Sequence, residues 1–151
     1  MTIPPLQDAG GGYRYLPAGD HEATLDEVEQ AFGSSTFKRR ELMKGLRDVV
    51  GKLRELGVET IWVDGSFVSS KERPGDVDVI YVRPDRADTT LWGLLAPARR
   101  DAAMKYFRCH LWEYPSYGKH AGGTPKTIKQ FFETDDDDVP KGHIVLRSRD
   151  D

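Results

Sequence analysis

Apolar side chains in the first third of the chain recur at the spacing of helix turns. A short helix is predicted from Thr24, which has capping-box spacing with Glu27, to an end at Gly33. Its apolar face carries Leu25, Val28 and Phe32.

A second and longer helix is predicted directly after the first. Ser34 and Ser35 are both suitable N-cap residues, and Gly57 is a suitable end. Between them, apolar residues at alternating steps of four and three form one stripe: Leu42, Leu46, Val49, Leu53 and Leu56. The pattern predicts an amphipathic helix that packs this stripe against a core.

The rest of the chain alternates strand and helix patterns. Strands are predicted where apolar and β-branched residues cluster, at 58–63, Val77–Val82, Cys109–Tyr114 and 143–146. Helices are predicted around 91–95, from Pro97 through Tyr106 and from Pro125 through Phe132. The order α-α-β-β-α-β-α-β predicts an α+β fold, a mixed β-sheet flanked by helices. Residues 1–15 are expected to be a flexible lead-in to a single domain at 16–151.

Composition and charge narrow the class of protein. The 151 residues are enough for one domain with a core, and hydrophobic and charged fractions of 38% and 31% do not indicate disorder. The net charge is −3, and it becomes +1 without the four aspartates at 135–138, since 22 basic side chains then face 21 acidic ones. A chain so near neutrality is not expected to bind nucleic acid over most of its surface. The four aspartates lack the glycine and glutamate of a calcium loop and are expected to form a solvated acidic loop.

The single cysteine, Cys109, limits the possible sites and compartments. It excludes an intramolecular disulfide and a Cys-rich zinc site, and it is expected to be a small buried apolar side chain. The sequence contains no run of about 18 apolar residues, the length that a membrane span needs. No secretory pattern begins the sequence. We therefore expect a cytoplasmic protein with no membrane partner.

The candidate chemistry lies in two neighbouring strands. The first predicted strand runs into Gly65-Ser66, and ten residues after Ser66 the second strand region carries Asp76 and Asp78. Residues i and i+2 of a strand share a face, so the two carboxylates are expected to project together. Paired carboxylates repel unless a cation lies between them, and Mg²⁺ or Mn²⁺ prefers carboxylate and phosphate oxygens. Gly65 allows close approach of a ligand and Ser66 offers a hydroxyl and an N–H, so the pattern predicts a metal-and-phosphate site.

This pattern resembles a known signature. Gly65-Ser66 followed by Asp76-Val77-Asp78 is similar to the Gly-Ser…Asp-x-Asp motif of the nucleotidyltransferase superfamily, of the polymerase-beta type. From about residue 16 to 146 the chain resembles small bacterial and phage nucleotidyltransferase-like proteins, in the segments LPAGDHEATLDEVEQAFG, DGSFVSSKERPGDVDVIY and FFETDDDDVPKGHIVL. The resemblance implies a minimal nucleotidyltransferase fold.

The resemblance also implies an activity. It implies transfer of a nucleoside monophosphate from a nucleoside triphosphate to a hydroxyl acceptor, with Mg²⁺ or Mn²⁺ as cofactor. The acceptor is expected to be an RNA end or a protein side chain. Small relatives often act as toxins or in phage defence, which implies a cognate antitoxin as partner. The small size of the chain leaves a homodimer partner as a second expectation.

Residue roles follow from the same resemblance. Gly65 and Ser66 match the triphosphate-binding turn, and Asp76 and Asp78 match the two metal-binding carboxylates. In the superfamily a third carboxylate on a later strand completes the site and can act as general base. Glu113, in the predicted strand Cys109–Tyr114, is the candidate for that catalytic role.

Basic residues near these strands are further candidates. Lys71, in the turn after Ser66, is a candidate nucleotide contact, although it is not part of the motif. Lys141 and His143 flank the last predicted strand and are candidate substrate contacts.

Each candidate also has a purely structural interpretation. Asp76 and Asp78 are compatible with the solvent side of an edge strand, Ser66 with a helix cap, and Glu113 with an ordinary polar strand position. The turn differs from the commonest pattern, since charged residues fill 71–73 and a glycine precedes the first aspartate. The alternative hypothesis is therefore a catalytically inactive nucleotidyltransferase-fold protein that binds or regulates a partner, as an antitoxin or a phage accessory protein.

Overall fold

The computed structural model describes residues 3–8, 12–82, 100–114, 117–118, 126–127 and 141–147. The described helices are α1 (Leu25–Phe32), α2 (Phe37–Glu55) and α3 (Arg100–Phe107), with a short 3-10 helix at Ser66–Val68. The described strands are β1 (Gln7–Asp8), β2 (Arg14–Tyr15), β3 (Asp20–Glu22), β4 (Thr60–Asp64), β5 (Val77–Val82), β6 (Cys109–Tyr114), β7 (Tyr117–Gly118), β8 (Lys126–Thr127) and β9 (His143–Arg147).

Five of these strands form a central sheet in the order β3-β9-β4-β5-β6. Strand β4 is antiparallel to both of its neighbours, β9 and β5. The two outer pairs, β3 with β9 and β5 with β6, are parallel. The sheet is therefore mixed and the chain combines it with helices, as the sequence predicts.

Alternation along the strands gives the sheet two different faces. The core face packs against the apolar sides of α1 and α2, and its strand residues include Ile61, Val63, Val77, Val79, Tyr81, Cys109, Leu111, Ile144 and Leu146. The opposite face, which we call the site face, carries Trp62, Asp64, Asp78, Ile80, His110 and Trp112. The expectation that Cys109 is a buried small side chain is confirmed, and burial raises the pKa of its thiol to about 12.

The first two helices form for the reasons that the sequence indicates. Thr24 and Glu27 make both bonds of a capping box, so α1 begins as predicted. The stripe of α2 is buried at Leu42, Leu46, Val49 and Leu53. The N-cap of α2 is Thr36 rather than Ser34 or Ser35, because the Thr36 hydroxyl accepts a hydrogen bond from the Arg39 backbone N–H at 3.1 Å.

Several predicted boundaries differ from the structure. The strand expected at 58–63 is displaced to Thr60–Asp64, while β5 and β6 have the predicted bounds. The strand β3 was not predicted, because three residues are too few to show a period. The helix expected from Pro125 is wrong at its start, since Lys126–Thr127 pairs with Tyr117–Gly118 as a strand.

The expected lead-in at 1–15 is also corrected where it is described. Strands β1 and β2 pair with each other, Tyr15 is buried, and Ile3 and Leu6 pack against the core. The helix around 91–95, the later part of the helix from Pro125 and the acidic run at 135–138 lie outside the described residues. Within the described part of the chain, no helix combines the length and the apolar character that a membrane span requires.

Candidate functional site

Ionisable side chains form a row across one end of the site face. Strand register places Asp64 of β4 opposite Asp78 of β5, and Asp78 beside His110 of β6. On the other side of Asp64, the side chain of His143 from β9 makes a hydrogen bond to its carboxyl group. Four neighbouring strands therefore each contribute one ionisable group to a single line.

The Gly-Ser turn meets the Asp-x-Asp strand at one point of this row. Gly65 has a φ of +82°, and a Cβ built on it would lie 2.2 Å from Oδ2 of Asp78. Only a glycine fits this position, because the carboxyl group of Asp78 packs directly against its Cα and the backbone conformation disfavours other residues. The two halves of the sequence motif are thus in contact.

Asp78 is enclosed and its electrostatic surroundings are unusual. Trp112 donates its indole N–H to Oδ1 of Asp78 at 3.0 Å, and Nδ1 of His110 lies 3.8 Å from the same oxygen. The pKa of Asp78 is raised to about 7, chiefly by burial. The charges of Asp76 and Asp64 contribute to this rise, whereas the Trp112 hydrogen bond and the charge of Lys141 oppose it. A cation that entered the row would relieve this repulsion.

Asp64 and His143 form a buried pair. Nδ1 of His143 and Oδ2 of Asp64 share a short hydrogen bond, and neither side chain is exposed to solvent. Burial raises the pKa of Asp64, while the bond to His143 and the charge of Lys141 lower it. Among the described residues, Oδ1 of Asp64 and Nε2 of His143 have no hydrogen-bond partner. Buried polar atoms of this kind are costly and are typical of functional positions.

The segment at the start of β9 places Lys141 close to the Asp64–His143 pair. Lys141 and His143 are both buried, and the intervening Gly142 lies so close to the Pro17 carbonyl that a Cβ would be 2.0 Å from its oxygen. Lys141 is the described cation whose charge lowers the pKa of both Asp64 and Asp78. Lys141, which the sequence offers as a candidate substrate contact, therefore provides positive charge beside both carboxyl groups.

The predicted site has three further residues, Asp76, Ser66 and Lys71. Asp76 directly precedes β5, and its charge raises the pKa of Asp78. Ser66 opens the 3-10 helix next to Gly65. Lys71 lines a cleft with Arg14 and Arg39, and its carbonyl accepts a hydrogen bond from the Arg39 guanidinium.

Glu113 does not join the carboxylates. It pairs in register with Tyr81, and alternation along β6 places it on the side of Leu111, whereas Asp78 shares its face with His110. The structure therefore does not bring the predicted third carboxylate together with Asp78.

Three residues of the site were missed by the sequence interpretation. Asp64 has a signal in the sequence, because it alternates with the core residues Ile61 and Val63 and so must share the face of Asp78. His110 and Trp112 had no comparable signal, since their proximity to Asp78 depends on which strands are neighbours.

The carboxyl groups of the site suit a hard divalent cation whose other coordination positions are filled by water or phosphate oxygens. Within the described residues, no three Asp, Glu, His or Cys side chains come together as a metal-binding group. Asp76 and Asp78 supply carboxylate oxygens, and Mg²⁺ in phosphoryl-transfer sites is commonly held by one or two carboxylates, water and substrate phosphates. The residues therefore fit an ion that arrives with a triphosphate.

Comparison with known proteins gives a family but no activity. A family model described as a family of unknown function, DUF6932, matches residues 11–147. No curated protein and no solved structure matches the chain.

Proposed function

The chain belongs to DUF6932, a family of unknown function, and we propose that it is a metal-dependent nucleotidyltransferase. It moves a nucleoside monophosphate from a nucleoside triphosphate to a hydroxyl on an RNA end or a protein side chain. The minimal nucleotidyltransferase fold, the cytoplasmic location and a role as a toxin or phage-defence component are parts of the same proposal.

The contact between Gly65 and Asp78 is the observation that carries the proposal. In the sequence these residues belong to two separate halves of a motif, and the folded chain packs the carboxyl group of one against the Cα of the other. A Gly-Ser turn that lies against a carboxylate strand is suited to a metal-bound triphosphate. An ordinary edge strand with solvent-facing aspartates would leave Asp78 exposed, yet it is nearly buried.

The residues would act mainly by positioning. The backbone at Gly65 and the hydroxyl of Ser66 bind the triphosphate, and Asp76 and Asp78 hold Mg²⁺ or Mn²⁺. The bound ion supplies neutralisation of phosphate charge. Trp112 fixes the carboxyl orientation of Asp78 through the 3.0 Å hydrogen bond. The acceptor hydroxyl gives its proton to solvent, and its oxygen forms a bond to the α-phosphorus in line as the bond to the β-phosphate oxygen breaks, so that pyrophosphate leaves.

The activity is tested by label transfer. Each of the four α-³²P-labelled nucleoside triphosphates is incubated with the protein, Mg²⁺ or Mn²⁺, and total RNA and protein from a bacterial lysate. We expect the native protein to label one acceptor class. Asp78→Asn keeps the shape of the side chain and an oxygen acceptor for Trp112, and it is expected to reduce labelling at least about 100-fold because a metal-binding charge is lost.

A matched control separates the site from the strand that supports it. Glu113→Gln, on the opposite face of β6, is expected to label within about threefold of the native protein. Absence of labelling by the native protein with every triphosphate, or equal labelling by the native protein and Asp78→Asn, would contradict the proposal.

A second candidate function is a catalytically inactive binding or regulatory protein. Two observations favour it: the described residues contain no three-ligand metal group, and burial raises the pKa of Asp78 to about 7. In that case the chain would act through a protein partner, such as a cognate toxin or a second copy of itself. Isothermal titration calorimetry distinguishes the two, since only the enzyme is expected to bind a nucleoside triphosphate with Mg²⁺ or Mn²⁺.

A further inference from the structure

His110 lies where a ligand shared with Asp78 would lie. The two residues are register partners on the parallel strands β5 and β6, so their side chains leave the same face of the sheet side by side. Nδ1 of His110 is 3.8 Å from Oδ1 of Asp78. Two donors that each lie about 2.1 Å from one ion are separated by about 3 to 3.5 Å, so a small rotation of the imidazole is sufficient for joint coordination.

The His110 side chain is more exposed to solvent than the Asp78 side chain. Asp78 is 13% exposed, whereas the His110 side chain is 41% exposed. The imidazole can therefore adjust to an ion without disturbing the core, while the carboxylate stays fixed. The ring centroids of His110 and Trp112 are 4.4 Å apart, and Trp112 is also the hydrogen-bond donor to Asp78. One indole thus supports both donors, as outer-shell partners do in metal sites.

Other donors on these strands are unsuited to this role. Glu113 is on the opposite face, and Cys109 is fully buried in the core with a thiol whose pKa is raised to about 12. A thiol that keeps its proton does not bind a metal ion well. His110 is the remaining donor on β6 that faces Asp78.

We propose that His110 is a metal ligand of the site together with Asp78, and that the site consequently selects Mn²⁺ over Mg²⁺. This inference rests on the proposed function, which places a divalent cation at Asp78. Imidazole nitrogen binds first-row transition ions, whereas Mg²⁺ favours oxygen donors alone. The two side chains leave the remaining coordination positions to phosphate oxygens and water.

The test measures metal binding directly on the full chain. Mn²⁺ affinity is measured by the loss of the free-ion EPR signal, and Mg²⁺ affinity is measured by competition against Mn²⁺. The native protein is compared with His110→Ala and with the control Glu113→Gln. Pulsed EPR of the Mn²⁺-loaded native protein then reports whether a nitrogen nucleus is coupled to the ion.

We expect native Mn²⁺ binding to be at least about tenfold tighter than Mg²⁺ binding, with a ¹⁴N coupling in the pulsed EPR spectrum. His110→Ala is expected to weaken Mn²⁺ binding about tenfold, to remove the coupling and to leave Mg²⁺ binding within about twofold. Glu113→Gln is expected to change none of these.

Three results would overturn the inference: no ¹⁴N coupling in the native protein, equal Mn²⁺ affinity in the native protein and His110→Ala, or no Mn²⁺ binding by the native protein. The ¹⁴N spectrum needs no variant, so it decides even if His110→Ala fails to fold. Label transfer that depends on Asp78, combined with the absence of ¹⁴N coupling, would reject the inference and leave the proposed function standing. A ¹⁴N coupling without any label transfer would reject the proposed function and leave the metal-ligand role of His110 standing.

Discussion

Asp64 and Asp78 lie directly opposite each other on the antiparallel strands β4 and β5. The charge of Asp64 raises the pKa of Asp78, and Lys141 is a buried cation whose charge lowers the pKa of both. Two buried carboxyl groups in neighbouring positions are costly in a protein that only needs a stable sheet. Burial of both carboxyl groups in this arrangement therefore lowers the stability of the fold.

Replacement of Gly65 by alanine is expected to destabilise the fold and disturb Asp78. The new Cβ would lie 2.2 Å from Oδ2 of Asp78, and a φ of +82° is strained for alanine. We expect the free energy of unfolding in urea to fall by about 2 to 4 kcal/mol. Gly75→Ala is the matched control, because a Cβ there meets nothing within 4 Å, and its change is expected to stay within about 0.5 kcal/mol. Equal stability of the two variants would contradict the contact.

The pKa of Asp78 predicts how stability depends on pH. Its pKa rises from 3.8 to about 7 on folding, so between these values the unfolded chain binds fewer protons and the free energy of unfolding falls as pH rises. Asp78→Asn removes this titration. We expect its advantage in stability over the native protein to grow by about 3 kcal/mol between pH 5 and pH 8, measured by urea unfolding. Parallel curves for the two proteins would show that Asp78 titrates normally.

Trp112 is expected to lower the pKa of the Asp78 carboxyl group. Its indole hydrogen bond lowers the pKa of that carboxyl group, so Trp112→Phe should raise the pKa above its native value of about 7. The shift can be followed through the side-chain carboxyl carbon of Asp78 by ¹³C NMR. Tyr114→Phe, on the same face two residues later, is the control and is expected to leave the titration unchanged. An unchanged or lowered pKa in Trp112→Phe would contradict this role.

Arg39 is expected to hold the loop that follows Ser66. Its guanidinium is buried and donates to four backbone carbonyl oxygens, those of Phe32, Phe67, Ser69 and Lys71. Arg39→Lys cannot reproduce this fork and leaves buried carbonyl groups without donors, so we expect a loss of about 2 to 4 kcal/mol in urea unfolding. Among the described residues, the neighbouring Arg40 makes one side-chain hydrogen bond, which is 3.3 Å long and exposed to solvent. Arg40→Lys is therefore expected to cost less than about 0.5 kcal/mol, and a similar cost for both variants would exclude the loop-holding role.

The sequence by itself determined several of the local elements of this protein. The three-residue spacing of Thr24 and Glu27 indicates the capping box, and a period of three to four residues indicates the buried stripe of α2. Clusters of apolar and β-branched residues indicate the bounds of β5 and β6. It also placed the candidate chemistry at Gly65-Ser66 and Asp76-x-Asp78, because turn and strand preferences depend on adjacent positions.

Only the tertiary structure decided which residues meet. The pairing of β5 with β6 selects His110 and Trp112 as neighbours of Asp78 and turns Glu113 to the opposite face. The pairing of β4 with β9 brings His143 to Asp64 from a position 79 residues away in sequence. Strand order and register are set by the burial of the whole apolar surface rather than by local pattern, and a shift of one residue exchanges the two faces of a strand.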